Sequence, residues 1–416
     1  MEIVNPNAGL FEGMFKYNPL DDERITRFLI YAPFVKAIVN SSNTISTWDW
    51  EILTSRVAIR PLFPNLRRLS LDNLFFRMQG SDEEFAFIET LIAPKLLHFR
   101  LPGYLSPWVS SYQAGKIISS IACTCLKLKS LSIAVRHSSE SPNIGTVLRP
   151  IAGLTNLHYL EINHVGLHSE TMLILGSLPQ LESMVVFSGS RAADDPISTP
   201  LNEDDFSLPV SSFPALQHLA ITEASPRQIN RLWRAPPLVK GLRSVQIVFQ
   251  ARCGAYRLDS LLEGSPHLLE LSITTSSNSE WLTVLPTSLT LLGSTGENSL
   301  KRLKFRMLMS PPAMMFGTLV CAFTNVVRLD LCPFFVDFDR LALIASRLPL
   351  LKYLDANIHF NYWPMTHWQH TSAVTSPSSL YLMCDFVNDL LTNYPTIPGY
   401  ECRWYPDVSL VASVAR

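Results

Sequence analysis

The sequence predicts an α/β solenoid of about twelve irregular strand–helix coils, with a curved parallel β-sheet on the concave side and helices on the convex side. Two near-copies give the first sign: FPNLRRLSL begins at Phe63 and FPALQHLAI at Phe213. Looser versions recur as APKLLHFRL from Ala93, LTNLHYLEI from Leu154, SPHLLELSI from Ser265 and LPLLKYLDA from Leu348. Aligned on the second apolar position of the pattern L-x-x-L-x-L, the anchors fall at Ile38, Leu69, Phe99, Leu131, Leu160, Met184, Leu219, Val245, Leu271, Leu303, Leu329 and Leu354. Their spacing runs from 24 residues, Leu160 to Met184, to 35, Met184 to Leu219.

Each anchor sits in a short stretch of period-2 alternation, which reads as a half-buried strand. Between anchors lie helix-like stretches: SDEEFAFIETLI from Ser81, SETMLILGSL from Ser169 and DFDRLALIASRL from Asp337. In the last, Leu341, Ile344 and Leu348 recur at helical spacing behind an acidic start. Proline precedes the first leucine position by two residues at Pro64, Pro94, Pro179, Pro214, Pro266 and Pro349. There it stops the preceding helix and opens the extended segment. One strand and one helix cannot bury both apolar faces alone, so the coils must stack.

The pattern defines an N-terminal segment at 1–24, the array at 25–357 and a C-terminal cap at 358–416. The longest interval holds SGSRAADDPISTPLNEDDFSLPVSS, read as an inserted loop over 188–212 in which Thr199 before Pro200 is a candidate phosphorylation site. In the cap, SSLYLMCDFVNDLL from Ser378 reads as a helix and GYECRWY from Gly399 as a last strand.

These L-x-x-L-x-L segments resemble leucine-rich repeats of the long, helix-containing kind found in ribonuclease-inhibitor-like proteins. With phrases such as RFLIYAPFVKAIV and LFPNLRRLSLDN, the array is more narrowly similar to fungal F-box proteins with divergent leucine-rich repeats. That resemblance implies a protein-recognition surface that selects substrates for ubiquitin ligation. An F-box would open on a Leu-Pro-x-Glu-like helical phrase, and nothing before Phe28 supplies one. A Skp-type adaptor is therefore an expected partner only if an F-box lies upstream. The alternative is a stand-alone repeat protein that binds or inhibits a partner without a ligase role.

Composition narrows the classes. The 416 residues are 47% hydrophobic and 17% charged, with a net charge of −1 and a pI near 6.8. That balance gives no global pull toward nucleic acid or anionic lipid, so neither is an expected partner. Seven cysteines, with only Cys123 and Cys125 close together, make no disulfide framework and suggest a reduced compartment, cytoplasmic or nuclear. The opening MEIVNPNAGLFEGMFKY lacks the basic and apolar regions of a secretory signal. No apolar run reaches the ~18 residues of a membrane span.

Signatures of catalysis are missing: no G-x-S-x-G, no G-x-G-x-x-G and no H-E-x-x-H, and GSTGENSLK is not a P-loop. His164 and His168 straddle a strand exit. His359, His367, His370 and Cys384 are the densest candidate ligands, with an aromatic cap around Trp363 and Trp368 as the competing reading. The expectation is a protein with no enzymatic role, no cofactor and no resident metal.

Binding would then fall on the exposed sheet face, at the positions flanking each anchor. The charged and aromatic members are Arg68, His98, Arg100, Tyr159, Glu161, Glu270, Arg302, Lys304, Arg306, Arg328, Asp330, Tyr353 and Asp355. Arg302, Lys304, Arg306 and Arg328 are expected to form one basic patch, and Arg68, His98 and Arg100 a smaller one. Either would suit an acidic or phosphorylated protein segment.

Overall fold

The computed structural model describes residues 2–3, 22–39, 61–71, 88–101, 110–135, 144–163, 167–187, 207–224, 226–249, 261, 264–275, 300–307, 323–336, 338–358 and 410–413. In chain order the elements are β1 (Glu2–Ile3), α1 (Asp22–Tyr31), β2 (Ala37–Val39), β3 (Arg68–Ser70), β4 (His98–Arg100), α2 (Ser111–Thr124), β5 (Ser130–Ile133) and α3 (Ile144–Leu148). There follow β6 (Tyr159–Asn163), α4 (Ser169–Gly176), β7 (Ser183–Phe187), β8 (His218–Ala224), α5 (Pro226–Trp233), α6 (Pro236–Val239) and β9 (Ser244–Phe249). The last are β10 (Glu270–Thr275), β11 (Arg302–Met307), β12 (Arg328–Val336), α7 (Phe338–Arg347), β13 (Tyr353–Ile358) and β14 (Leu410–Ser413).

The chain forms two compact units: Met1–Ile221 with Ala235–Gly241, and Thr222–Arg234 with Leu242–Arg416. In the first, β1 to β8 pair in chain order and in parallel. The anchors are register partners from Ile38 through Leu69, Phe99, Leu131, Leu160 and Met184 to Leu219. In the second unit, Val245, Leu271, Leu303, Leu329 and Leu354 form the equivalent row on β9 to β13. Each unit is an α/β leucine-rich-repeat solenoid.

The mechanism of stacking is visible in the backbone. The carbonyl just before each of β2 to β7 and β9 to β12 accepts two N–H groups of the next coil. Arg67 O takes Leu97 N at 2.8 Å and His98 N at 3.0 Å, and Leu97 O takes Lys129 N and Ser130 N. The same fork recurs at Val327 O with Lys352 N and Tyr353 N. Before each fork, the first leucine closes a turn: Leu66 N–H donates to Phe63 O at 3.0 Å, Leu96 to Ala93 O and Leu268 to Ser265 O. Proline thus occupies the second residue of the turn at Pro64, Pro94 and Pro266, where its fixed φ is already correct and no N–H is needed. Its role is to shape the turn as well as to stop the helix.

Asparagine at the third turn residue ties coils together. Asn65 Nδ2 donates to Pro33 O at 2.7 Å, and Asn156 Nδ2 to Leu126 O at 2.8 Å. At the end of β6, Asn163 spans to the neighbouring coil twice: Nδ2 donates to Val135 O at 2.7 Å and Oδ1 accepts from Val135 N at 3.0 Å. Both residues are buried. Asn163→Ala leaves two backbone groups of Val135 orphaned, at about 1–3 kcal/mol each. The expected outcome is a lower urea midpoint with faster exchange of the Val135 amide. A loss under about 1 kcal/mol would mean that water re-pairs those groups.

Apolar rows fill the interior. Leu66, Leu69 and Leu71 are fully buried, as are Leu128, Leu131 and Ile133, and Leu157, Leu160 and Ile162. Burying each such side chain contributes about 1.5–3 kcal/mol. The end coil is looser, with Leu351 and Leu354 only half-buried.

Helix α4 lies within the predicted stretch from Ser169, and α7 matches the one from Asp337, with Ile344 and Leu348 buried. Of the stretch from Ser81, residues 88–91 are helical, Ile92 follows just after the helix, and 81–87 lie outside the described residues. Helix α2 was not anticipated; a capping box of Ser110 and Gln113 starts it, and Ala114, Ile117, Ile118 and Ile121 face the core. The described terminal strand is Leu410–Ser413, antiparallel to β13. The expected strand from Gly399, the helix from Ser378 and most of the inserted loop, with Thr199, lie outside the described residues. No described helix is long and apolar enough to cross a membrane.

Candidate functional site

Parallel register in the first unit lines up two rows of side chains on the face opposite the core. Arg68, His98, Ser130 and Tyr159 are partners in one row, and Ser70, Arg100, Ser132 and Glu161 in the next. Neighbouring strands lie about 4.8 Å apart, so groups three strands away share one surface patch. The serines are short where their neighbours are long, and the result is a recess of about 350 Å³ over β3–β6. Arg68, His98 and Arg100 line it from β3 and β4, Ser130 and Ser132 from β5, and Tyr159 and Glu161 from β6. All five residues that the sequence singled out in this unit therefore line one recess.

Its electrostatics are lopsided. Arg68, His98 and Arg100 are exposed, whereas Glu161 is 6% exposed. The Tyr159 hydroxyl lies 3.4 Å from Glu161 Oε2, at the long end for a donated hydrogen bond. Alternation had assigned Glu161 to the exposed face; it holds that face but is covered, with Tyr159 two residues before it reaching its carboxylate. Partial burial, then the positive charges of Arg68 and Lys129, hold His98 below its ordinary value of 6.5. Lys129, next to Ser130, is a contributor that sequence reasoning missed. The lowered His98 makes folding more favourable above its unfolded value of 6.5, and that contribution is lost as the pH falls through the folded value.

The second unit presents a different face. Arg302 Nη1 meets Glu270 Oε1 at 2.6 Å, and Lys304 Nζ meets Asp330 Oδ2 at 2.9 Å. The expected basic patch of Arg302, Lys304, Arg306 and Arg328 is thus half neutralised, because Glu270 and Asp330 stand beside its cations in register. Asp330, expected to be exposed, is 7% exposed and held by Lys304. Arg306 and Arg328 remain exposed, with Tyr353 beside Arg328 and Asp355 beside Asp330. The exposed Arg302–Glu270 pair contributes about 0–1 kcal/mol to stability, but each of the two pairs neutralises a cation that an anion would otherwise reach.

Of the candidate metal ligands, only His168 is described, at the start of α4; His164, His359, His367, His370 and Cys384 lie outside the described residues. Cys123 is exposed and Cys125 buried. The Cys125 thiol donates to Ala93 O at 3.2 Å, and burial pushes it up to about 12, so it stays protonated and unreactive.

No protein-family model matches the chain, and no curated protein matches it in sequence. Solved structures similar to it include TLR13 in its complex with ssRNA13, at 14% identity and TM-score 0.38, covering 73% of this chain and 41% of that one. The chain thus spans less than half the length of that relative. A Bacteroides fragilis protein is similar at 14% identity and TM-score 0.34, with 71% of each chain covered. A chain of the yeast complex of Rad7 and Elc1 is similar at 15% identity and TM-score 0.38, covering 82% of this chain and 90% of that one. At such scores the likeness decides nothing about function.

Proposed function

We propose that this chain is a non-enzymatic protein-recognition scaffold that captures an acidic or phosphorylated segment of a partner protein on the face of β3–β6. The observation that carries this reading is the recess itself: two arginines and a histidine on the neighbouring strands β3 and β4 line it together with serines and one covered carboxylate. Arginine forks suit carboxylate and phosphate oxygens, and an open recess lined by exposed Arg68, His98 and Arg100 suits a docked acidic side chain. The resemblance to F-box proteins with leucine-rich repeats adds the finer reading that the captured protein is a substrate for ubiquitin ligation.

A fluorescent hexa-aspartate peptide and a phosphoserine peptide test the reading. Both are expected to bind, more weakly as salt rises, while hexalysine does not. Equal binding of hexalysine would remove the anion reading. For the ligase role, co-elution of a purified Skp-type adaptor with a chain that carries an upstream F-box is the expected result, and separate elution would leave the stand-alone scaffold.

A further inference from the structure

His98 is the group in the recess best placed to change charge near neutral pH, and its neighbours fix what that change does. On β3 its register partner is Arg68; on β4 itself Arg100 follows two residues later. On the β5 side stand Ser130, its other register partner, and Lys129 just before it. From β6 the recess is lined by Tyr159 and Glu161, the carboxylate being covered. Among the described residues, the charged groups around the imidazole are therefore three cations and one buried anion.

We propose that this recess takes up its anionic partner segment together with a proton, which His98 accepts as the anion docks between it and the two arginines. The inference rests on reading the recess as the anion site. Without a ligand, partial burial and then the charges of Arg68 and Lys129 hold the imidazole below its ordinary value, which favours the neutral ring. A carboxylate or phosphoryl oxygen within about 4–6 Å reverses that field and favours the imidazolium. The imidazolium also offers both ring nitrogens as donors, where the neutral ring offers one. More protons are bound in the complex than in the free protein, so affinity must rise as pH falls across the interval between the free and the liganded value of His98. Each unit by which the anion raises His98 corresponds to about a tenfold difference in affinity between the two ends of that interval.

The test is calorimetric titration of the full chain with hexa-aspartate at fixed ionic strength, from about pH 5.5 to about pH 8.5, where the probe stays ionised. Two buffers with different ionisation enthalpies report the protons exchanged. The expected result is proton uptake on binding and affinity about tenfold or more higher at the acidic end. In His98→Asn, which circular dichroism must show to be folded, affinity falls to no more than the wild-type value at the alkaline end, and both the uptake and the pH dependence disappear. Wild-type binding with no proton uptake, or uptake that survives in His98→Asn, overturns this inference and leaves the recess as an anion site. Wild-type chain that binds no hexa-aspartate at any pH overturns both.

Discussion

Reversing two charges, Arg68→Glu with Arg100→Glu, is expected to abolish capture of acidic peptides without unfolding the chain. Both side chains are exposed and stand on either side of His98 in the same recess. Each charge-assisted hydrogen bond to an anion contributes about 1.5–3 kcal/mol, so losing two removes roughly 3–6 kcal/mol. That is a hundredfold to ten-thousandfold loss of affinity, before counting repulsion by the new carboxylates. Exposed substitutions away from the core normally change stability by no more than about 0.5 kcal/mol, so the thermal transition should hardly move. The same reversal at Arg302 and Lys304 provides the contrast. Those cations already face Glu270 and Asp330, and their loss should leave hexa-aspartate affinity within about twofold. Fluorescence anisotropy on the two double variants separates the faces. A first variant that binds as wild type would take the recess out of the proposed function.

The strand ladder was legible in the sequence because burial on one face demands it. A one-residue slip would carry Leu69 or Phe99 to solvent and Arg68 or His98 into the core, so alternation alone selects the register. Choosing the site residues followed from the same rule. What alternation could not supply was the depth of each side chain. Glu161 and Arg100 occupy equivalent positions in their strands, yet one is covered and the other exposed. Their difference comes from neighbours: Glu161 has Tyr159 reaching over it, and Arg100 lies between Ser70 and Ser132. The paired state of Lys304 was nearer to hand, since Asp330 holds the same position in the next coil. Helix α2 escaped notice because Ser111–Thr124 mixes serines and a glycine with its isoleucines and lacks an acidic start. The readable signal was Ser110 followed by Gln113, a capping box that a search for acidic first turns passes over.

Phe99→Ala is expected to be the most destabilising single change near the recess, at about 3–5 kcal/mol. Phe99 is 1% exposed and is the register partner of both Leu69 and Leu131, so its ring separates two fully buried leucines. Truncation removes its transfer free energy and leaves a cavity that strands pinned by the Arg67 and Leu97 forks cannot close. In a repeat array the loss should stay local, because each coil is stabilised by its own core and by its two neighbours. Amide exchange in β3, β4 and β5 should accelerate by two to three orders of magnitude, while β10 to β12 keep their protection. Uniform acceleration throughout would show that the chain unfolds as one cooperative block instead. The functional consequence follows from position: His98 and Arg100 flank Phe99, so a β4 that opens more often takes two of the three basic groups out of the recess at once. Phe99→Leu keeps the strand seated at a smaller cost and should restore peptide capture in step with β4 protection, tying the binding site to the apolar row beneath it.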